Sequence, residues 1–155
     1  MYAQDNLTLK SCPGILINDV CWAEYNVDEP GTFANAANPR GMLYQWNRKK
    51  GWPATGTVTG WDTFFSSGDF WEAANDPCPA GWRVPTIEEM KKLLDKSRVT
   101  SDSVFIDGII GKAYTDRLTG NRIFYLSLSV VRLMAFCVQM EIQDSIGRVH
   151  LFFLI

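Results

Sequence analysis

The sequence predicts an α+β domain, with two short helices packed on small antiparallel sheets and joined by long loops. Three observations predict it. A capped, amphipathic segment follows Pro85. Short apolar runs elsewhere are separated by Asn, Asp, Gly and Pro turn residues. Residues 26–41 and 52–68 carry neither periodicity. A chain of 155 residues suits one domain with a real core. Its 46% hydrophobic and 21% charged content is that of an ordinary globular protein. A net charge of -2 removes the electrostatic case for nucleic acid or an anionic membrane. No apolar run approaches a membrane span.

Residues 1–13 read as a loose N-terminal segment. Gly14-Ile15-Leu16-Ile17 reads as a strand, Asn18-Asp19 as a tight turn, and Val20-Cys21-Trp22-Ala23 as the returning strand. Met42 to Trp46 is a short buried strand, and Arg48-Lys49-Lys50 makes the turn after it a solvated basic loop. Residues 52–68 are rich in Thr, Gly and Ser and hold Trp52 and Trp61. Long loops of this kind are often binding elements, so both tryptophans are candidate ligand-loop residues; the alternative is that they tuck the loop onto the core.

The stretch 70–94, FWEAANDPCPAGWRVPTIEEMKKLL, organises the rest. Trp71, Ala73 and Ala74 suggest a short helix closed by Asn75-Asp76-Pro77. Cys78-Pro79-Ala80-Gly81 is a turn, and Trp82-Arg83-Val84 an extended run, held so by Pro85. Thr86 stands where an N-cap should, and Glu89 completes a capping box. Glu88 and Glu89 early, with Lys91, Lys92 and Lys96 late, suit the helix dipole. Ile87, Met90, Leu93 and Leu94 form one apolar stripe. Trp71 and Trp82 are expected in the core, and Arg83 is expected to pair with an acid such as Glu72 or Glu88. Residues 97–111 read as a connector with the apolar patch Val104-Phe105-Ile106. Ala113-Tyr114-Thr115 and Arg122-Ile123-Phe124 read as a hairpin turned by Thr119-Gly120-Asn121.

Four cysteines, Cys12, Cys21, Cys78 and Cys137, form no CxxC pair, and His150 is the only histidine. That pattern argues against a zinc site and against Cys-His or Ser-His-Asp catalysis. Asp62, Asp69 and Asp76 are too scattered for a calcium loop. No catalytic residue, cofactor or metal is expected. Scattered cysteines beside many Gly, Asn and Trp residues lean towards export, while residues 1–20 show no leader pattern. The four cysteines leave a Cys21–Cys78 disulfide as one pairing to test.

Four segments carry a family resemblance: VCWAEYNVDEPGTF at 20–33, GMLYQWNRKKGW at 41–52, WEAANDPCPAGWRVPTIEEMKKLL at 71–94 and YTDRLTGNRIF at 114–124. In their order and spacing the chain resembles the Fibrobacter succinogenes major paralogous domain, found in exported and surface proteins of Bacteroidetes-type bacteria. The match covers residues 14–124. Its most specific part is DPCPAGWRVPT, which includes Cys78, Gly81, Trp82, Arg83, Pro85 and Thr86. The W-x-E-A pattern at Trp71 also resembles the C-type-lectin-like fold. The resemblance implies a non-catalytic, secreted or surface-exposed binding module whose ligand is a glycan or a protein. Two other readings are an enzyme related to formylglycine-generating proteins, which needs a free reactive cysteine, and a structural repeat unit of a surface assembly. The calcium ligands of sugar-binding C-type lectins are not present.

After Phe124 the family pattern stops. The family continues with leucine-proline, a glycine-rich loop and a tyrosine-tryptophan-serine strand. Read one base out of register, the codons at Phe124-Tyr125-Leu126 permit leucine then proline. Those after Met140 permit a glycine-rich run ending in tyrosine, tryptophan and serine. Residues 125–155 are therefore expected to be a divergent or out-of-frame tail, with C-terminal strands foreign to the fold. Cys137 and His150 would then be chance residues and the family's late partner of Cys78 would be lost. Sequencing the gene through the codons for Ile123 to Tyr125 tests this; an unbroken frame would sink it. The apolar end, Leu151-Phe152-Phe153-Leu154-Ile155, would be an aggregation hazard if exposed.

Overall fold

The computed structural model describes residues 11–35, 40–60, 68, 70–106, 108–126, 133–134 and 137–139. Within them the chain is α+β, built of small antiparallel sheets and one α-helix. β1 (Ile15–Ile17) and β2 (Val20–Trp22) form the expected hairpin. Its turn residues Asn18 and Asp19 sit at φ 44° and 62°. A two-residue turn needs those values to match the strand twist, and Asn and Asp tolerate them best after glycine. β2 pairs with β10 (Val138–Gln139), which pairs in turn with β5 (Trp82–Arg83). A second sheet sets β3 (Met42–Tyr44) between β4 (Gly51–Pro53) and β9 (Leu133–Met134). The third is a meander of β6 (Val99–Ile106), β7 (Ile109–Asp116) and β8 (Arg122–Leu126).

α1 (Ile87–Leu94) has the capping box that its sequence announces. The Glu89 N–H donates to Thr86 Oγ1 at 3.3 Å, and the Thr86 N–H donates to the Glu89 carboxylate at 2.6 Å. Met90 and Leu93 enter the main core with Ile17, Val20, Trp22, Val99, Ile123 and Tyr125. Burying Leu93 alone is worth about 2 kcal/mol. The apolar stripe is narrower than its spacing suggests, because Leu94 is 57% exposed at the last turn. The helix end is joined to the first hairpin by the Asn18 amide, which donates to the Lys92 carbonyl at 2.9 Å. That carbonyl, in the last turn of the helix, otherwise takes only the long Asp95 N–H bond at 3.4 Å.

Several expectations are corrected. The first of the two helices is a single 3-10 turn, Ala73–Asn75. Pro77 follows too soon for a second turn, and Asp76 already has extended φ and ψ. The 97–111 connector is β6 and the start of β7, an eight-residue antiparallel pairing with Asp102 opposite Ala113. Ser101-Asp102-Ser103 has poor strand propensity and is exposed. It is strand because β7 supplies the ladder, and its charge guards a sheet edge. Trp52 lies in β4 rather than in an irregular loop, paired with Leu43. The loose segment 1–13 is tied at Cys12, which is bonded to Cys21. Residues 1–10 lie outside the described residues, as do His150 and the apolar C-terminal end.

The tail also carries more than its sequence suggests. β8 runs to Leu126 without a break at residue 125, and β9 and β10 extend sheets begun by residues 14–124. Cys137 is fully buried and bonded to Cys78. The Cys21–Cys78 pairing is thereby overturned, since each sulfur is committed elsewhere. Cys21 sits on β2 within a short loop of Cys12, and Cys78 faces the strand that β2 and β5 share.

One glycine is required by packing. The Phe124 ring lies against β7 so closely that a Cβ on Gly111 would overlap it. This lets Phe124 reach across to Leu43 and Trp52 in a satellite core.

Candidate functional site

The segment 70–86 is a scaffold held by its own polar groups. The Asp76 carboxylate accepts the Cys78 N–H at 2.8 Å through one oxygen and the Val84 N–H at 2.9 Å through the other. It thus closes the Cys78-Pro79-Ala80-Gly81 turn, where Gly81 takes a left-handed φ of 84° that disfavours any side chain. Arg83 does not reach Glu72 or Glu88. It forks onto Glu89, with Nη1 and Nη2 donating at 2.8 and 2.6 Å, while Glu88 meets Lys91 at 2.6 Å. Burial works to raise the Glu89 pKa; the Arg83 and Thr86 hydrogen bonds overcome it and hold the carboxyl below the usual range. Pro85 is buried between the two. These residues build structure and present no reacting group.

The β3–β4 turn docks onto this scaffold. Asn47 is buried at φ 52°, and its side-chain oxygen accepts from the Glu72 N–H at 3.0 Å and from Asn75 Nδ2 at 3.2 Å. The docking brings Trp46 against Trp71, with ring centroids 5.2 Å apart and planes at 73°. That edge-to-face arrangement is a favoured aromatic geometry. The Trp71 indole N–H donates to the Asn75 carbonyl at 2.7 Å, so its polar edge is spent internally. Both indoles are half-buried, and Phe70, the residue before Trp71, is 56% exposed. Arg48, Lys49 and Lys50 complete the turn. The result is a rigid aromatic corner next to a basic loop.

The two tryptophans expected to line a ligand loop are not brought together here. Trp52 is half-buried against Leu43, Ala54, Val58 and Phe124, and the Lys50 ammonium sits 4.0 Å from its ring centroid. This is the packing role given as the alternative. Trp61 lies outside the described residues. Trp71 and Trp82 are half-buried rather than central, packing on Ala23, Val27, Tyr44 and Cys137, with Phe33 edge-on to Trp82 at 5.5 Å. Trp46 and Asn47 were missed in the sequence. Asn47 carries a signal only in hindsight, as an Asn followed by a basic run at a turn.

The buried tyrosines are also structural. Tyr125 donates to the Ala23 carbonyl at 3.0 Å, and Tyr44 donates to the Asp28 carbonyl. Burial drives both phenols well above their ordinary range, with Asp28 and Glu29 adding to the effect at Tyr44 and Tyr114 at Tyr125. Neither phenol is placed to exchange a proton at neutral pH. Among the described residues no three His, Cys, Asp or Glu side chains converge as a metal site would require. Nor is any helix among them long and apolar enough to cross a membrane. Comparisons with protein-family models, characterised proteins and solved structures gave no match.

Proposed function

We propose that this chain is a non-catalytic binding module of an exported or surface-exposed bacterial protein. The observation that carries this reading is the edge-to-face pair Trp46 and Trp71, both half-buried, on a turn held by the Asn47 hydrogen bonds to Glu72 and Asn75. Its surroundings offer stacking surface and charge, the features of recognition rather than of proton transfer. Two further features support it. The four segments quoted above follow the pattern of the Fibrobacter-type paralogous domain, and the two disulfides suit an oxidising compartment.

We assign the finer architecture to the C-type-lectin-like class on the same footing. The support is a late strand set between an N-terminal strand and the strand that leads into α1, with a disulfide from the turn before that strand to the residue before the late one. The enzyme reading requires a free thiol, and all four cysteines are in disulfides. The reading as a repeat unit of a surface assembly has no separate observation in its favour.

The test is a screen of the oxidised protein against immobilised cell-surface polysaccharides and purified envelope proteins. Saturable binding is the expected result. Silence across both panels, with the disulfides intact, would remove the reading.

A further inference from the structure

Resting on that reading, we infer that the outer end of the β6–β7 hairpin is a docking face for a short apolar and acidic segment of a partner protein. Phe105 and Ile110 supply its apolar part and Lys112 its charge. Four observations lead there.

The hairpin outruns its sheet. β6 and β7 pair from Val99 opposite Asp116 to Ile106 opposite Ile109. Among the described residues β8 accompanies β7 only as far as Gly111, which lies opposite Leu126. Phe105-Ile106 and Ile109-Ile110 therefore form a two-stranded arm beyond the third strand.

One face of that arm is apolar and open. Phe105 and Ile110 are directly opposite, and alternation along the strands puts both side chains on one face. They are 71% and 63% exposed. Nearer the helix the same face holds Val99, Ile123 and Tyr125, which are core residues. So the face passes from core to surface along one hairpin. Among the described residues, no other two of the large exposed apolar side chains are strand partners.

Positive charge lies behind the apolar pair. The next pair inward on that face is Ser103 and Lys112, both exposed. Two residues of strand put Lys112 roughly 7 Å behind Ile110. The lysine makes no ion pair among the described residues. Asp102, the acid of β6, is opposite Ala113 and so belongs to the other face. The complement of such a face is a few apolar side chains next to a carboxylate.

Its size fits a short segment. Two apolar side chains and a lysine fall well short of the about 20–30 residues a side of a standard protein interface. They can anchor a peptide, where a few side chains carry the contact. A bilayer fits less well. The strands are joined by Asp107-Gly108, so entry end-on would carry an aspartate towards hydrocarbon.

The experiment is selection of a phage-displayed library of random short peptides on the oxidised protein, followed by anisotropy titration of the enriched sequences. Peptides with apolar residues next to Asp or Glu are expected to be enriched. Their affinity should fall at least tenfold in the Phe105→Thr/Ile110→Thr double variant and in Lys112→Glu, and should fall with added salt. Threonine keeps strand propensity, and circular dichroism with urea melts separates a lost face from a lost fold. Lys112→Glu, a change of one exposed side chain, decides the matter if the double variant misfolds. No enrichment, or enriched peptides that bind both variants as tightly as the parent, overturns the assignment. Flotation with vesicles of phosphatidylcholine and phosphatidylglycerol that the double variant loses overturns it in favour of a bilayer. A concentration-dependent dimer that the double variant loses overturns it in favour of a second copy. If the polysaccharide and envelope-protein panels give a ligand whose binding ignores both variants, this face is wrong while the binding-module reading stands. If nothing binds on any panel, both fail.

Discussion

The backbone N–H of Asn18 donates to the side-chain carboxylate of Asp116 at 2.7 Å, across 98 residues of sequence. The same carboxylate accepts the Leu118 and Thr119 N–H groups at 2.8 and 3.0 Å. One buried acid thus joins the first hairpin turn to the β7–β8 turn. The Asn18 bond, then the Thr119 bond, hold its pKa down at about 2, from an ordinary 3.8.

Asp116→Ala is therefore expected to lower stability by about 2–3 kcal/mol, since it leaves the buried Asn18 N–H without an acceptor and removes two charge-assisted bonds from the β7–β8 turn. The pH dependence follows from the depressed value. The contribution is present above the unfolded pKa near 3.8 and is lost as pH falls through about 2. Urea melts of both proteins between pH 6 and pH 2 should converge at the acid end. A gap that stays constant would show that the carboxylate's charge is not the cause.

The two disulfides should differ in worth. Cys78–Cys137 spans 59 residues and Cys12–Cys21 spans 9. Loop-closure entropy gives about 4 kcal/mol for the longer loop and about 3 for the shorter. Paired Cys→Ser replacement at 78 and 137 should therefore shift the urea midpoint more than replacement at 12 and 21. It should also raise hydrogen exchange at β10, which Cys137 tethers between β2 and β5. Equal shifts with unchanged exchange would mean the tail contributes little to the fold.

Glu89 serves both the N-cap and Arg83, so its loss should exceed the loss of either partner. Thr86→Ala should cost about 1 kcal/mol. Glu89→Ala should cost about 2–3, because it also leaves the Arg83 guanidinium, 30% exposed, without its fork. With the folded pKa lowered, the Glu89 contribution is present above the ordinary value of 4.5 and fades as pH drops below it. Thermal melts of the two variants at pH 7 decide this. Thr86→Ala as damaging as Glu89→Ala would refute the double role.

Gly111→Ala should destabilise by about 1–3 kcal/mol through overlap with the Phe124 ring. Phe124→Leu alone should cost about 1–2 kcal/mol of satellite-core packing. The double variant should cost less than the sum, because the overlap is gone. Strict additivity in the double-mutant cycle would show that the ring is not what Gly111 accommodates.

Local chemistry was legible where it decided the outcome. The Asn18-Asp19 turn, the Thr86/Glu89 box and the hairpin turned at Gly120 each involve residues within a few positions of one another. The 70–75 segment was read as too long a helix because Pro77 stops it after one turn, and β6 was misread because its ladder is supplied by β7. The basic turn was readable as a charged loop. Its value as a site depends on Trp46 meeting Trp71, 25 residues away in sequence, and no spacing rule announces that contact.

By itself the sequence determined the α+β class, the turn types and the capped helix. These follow from backbone preferences and from side chains acting on their own backbone, which are short-range. Only the tertiary structure decided which cysteines bond, that the tail supplies β9 and β10, that Trp52 packs with Leu43 and Phe124 while Trp46 meets Trp71, and that Arg83 takes Glu89. Each of those outcomes is a competition among distant partners for one sulfur, one strand edge, one ring face or one guanidinium. The chain's path in three dimensions settles such competitions by bringing one candidate within reach.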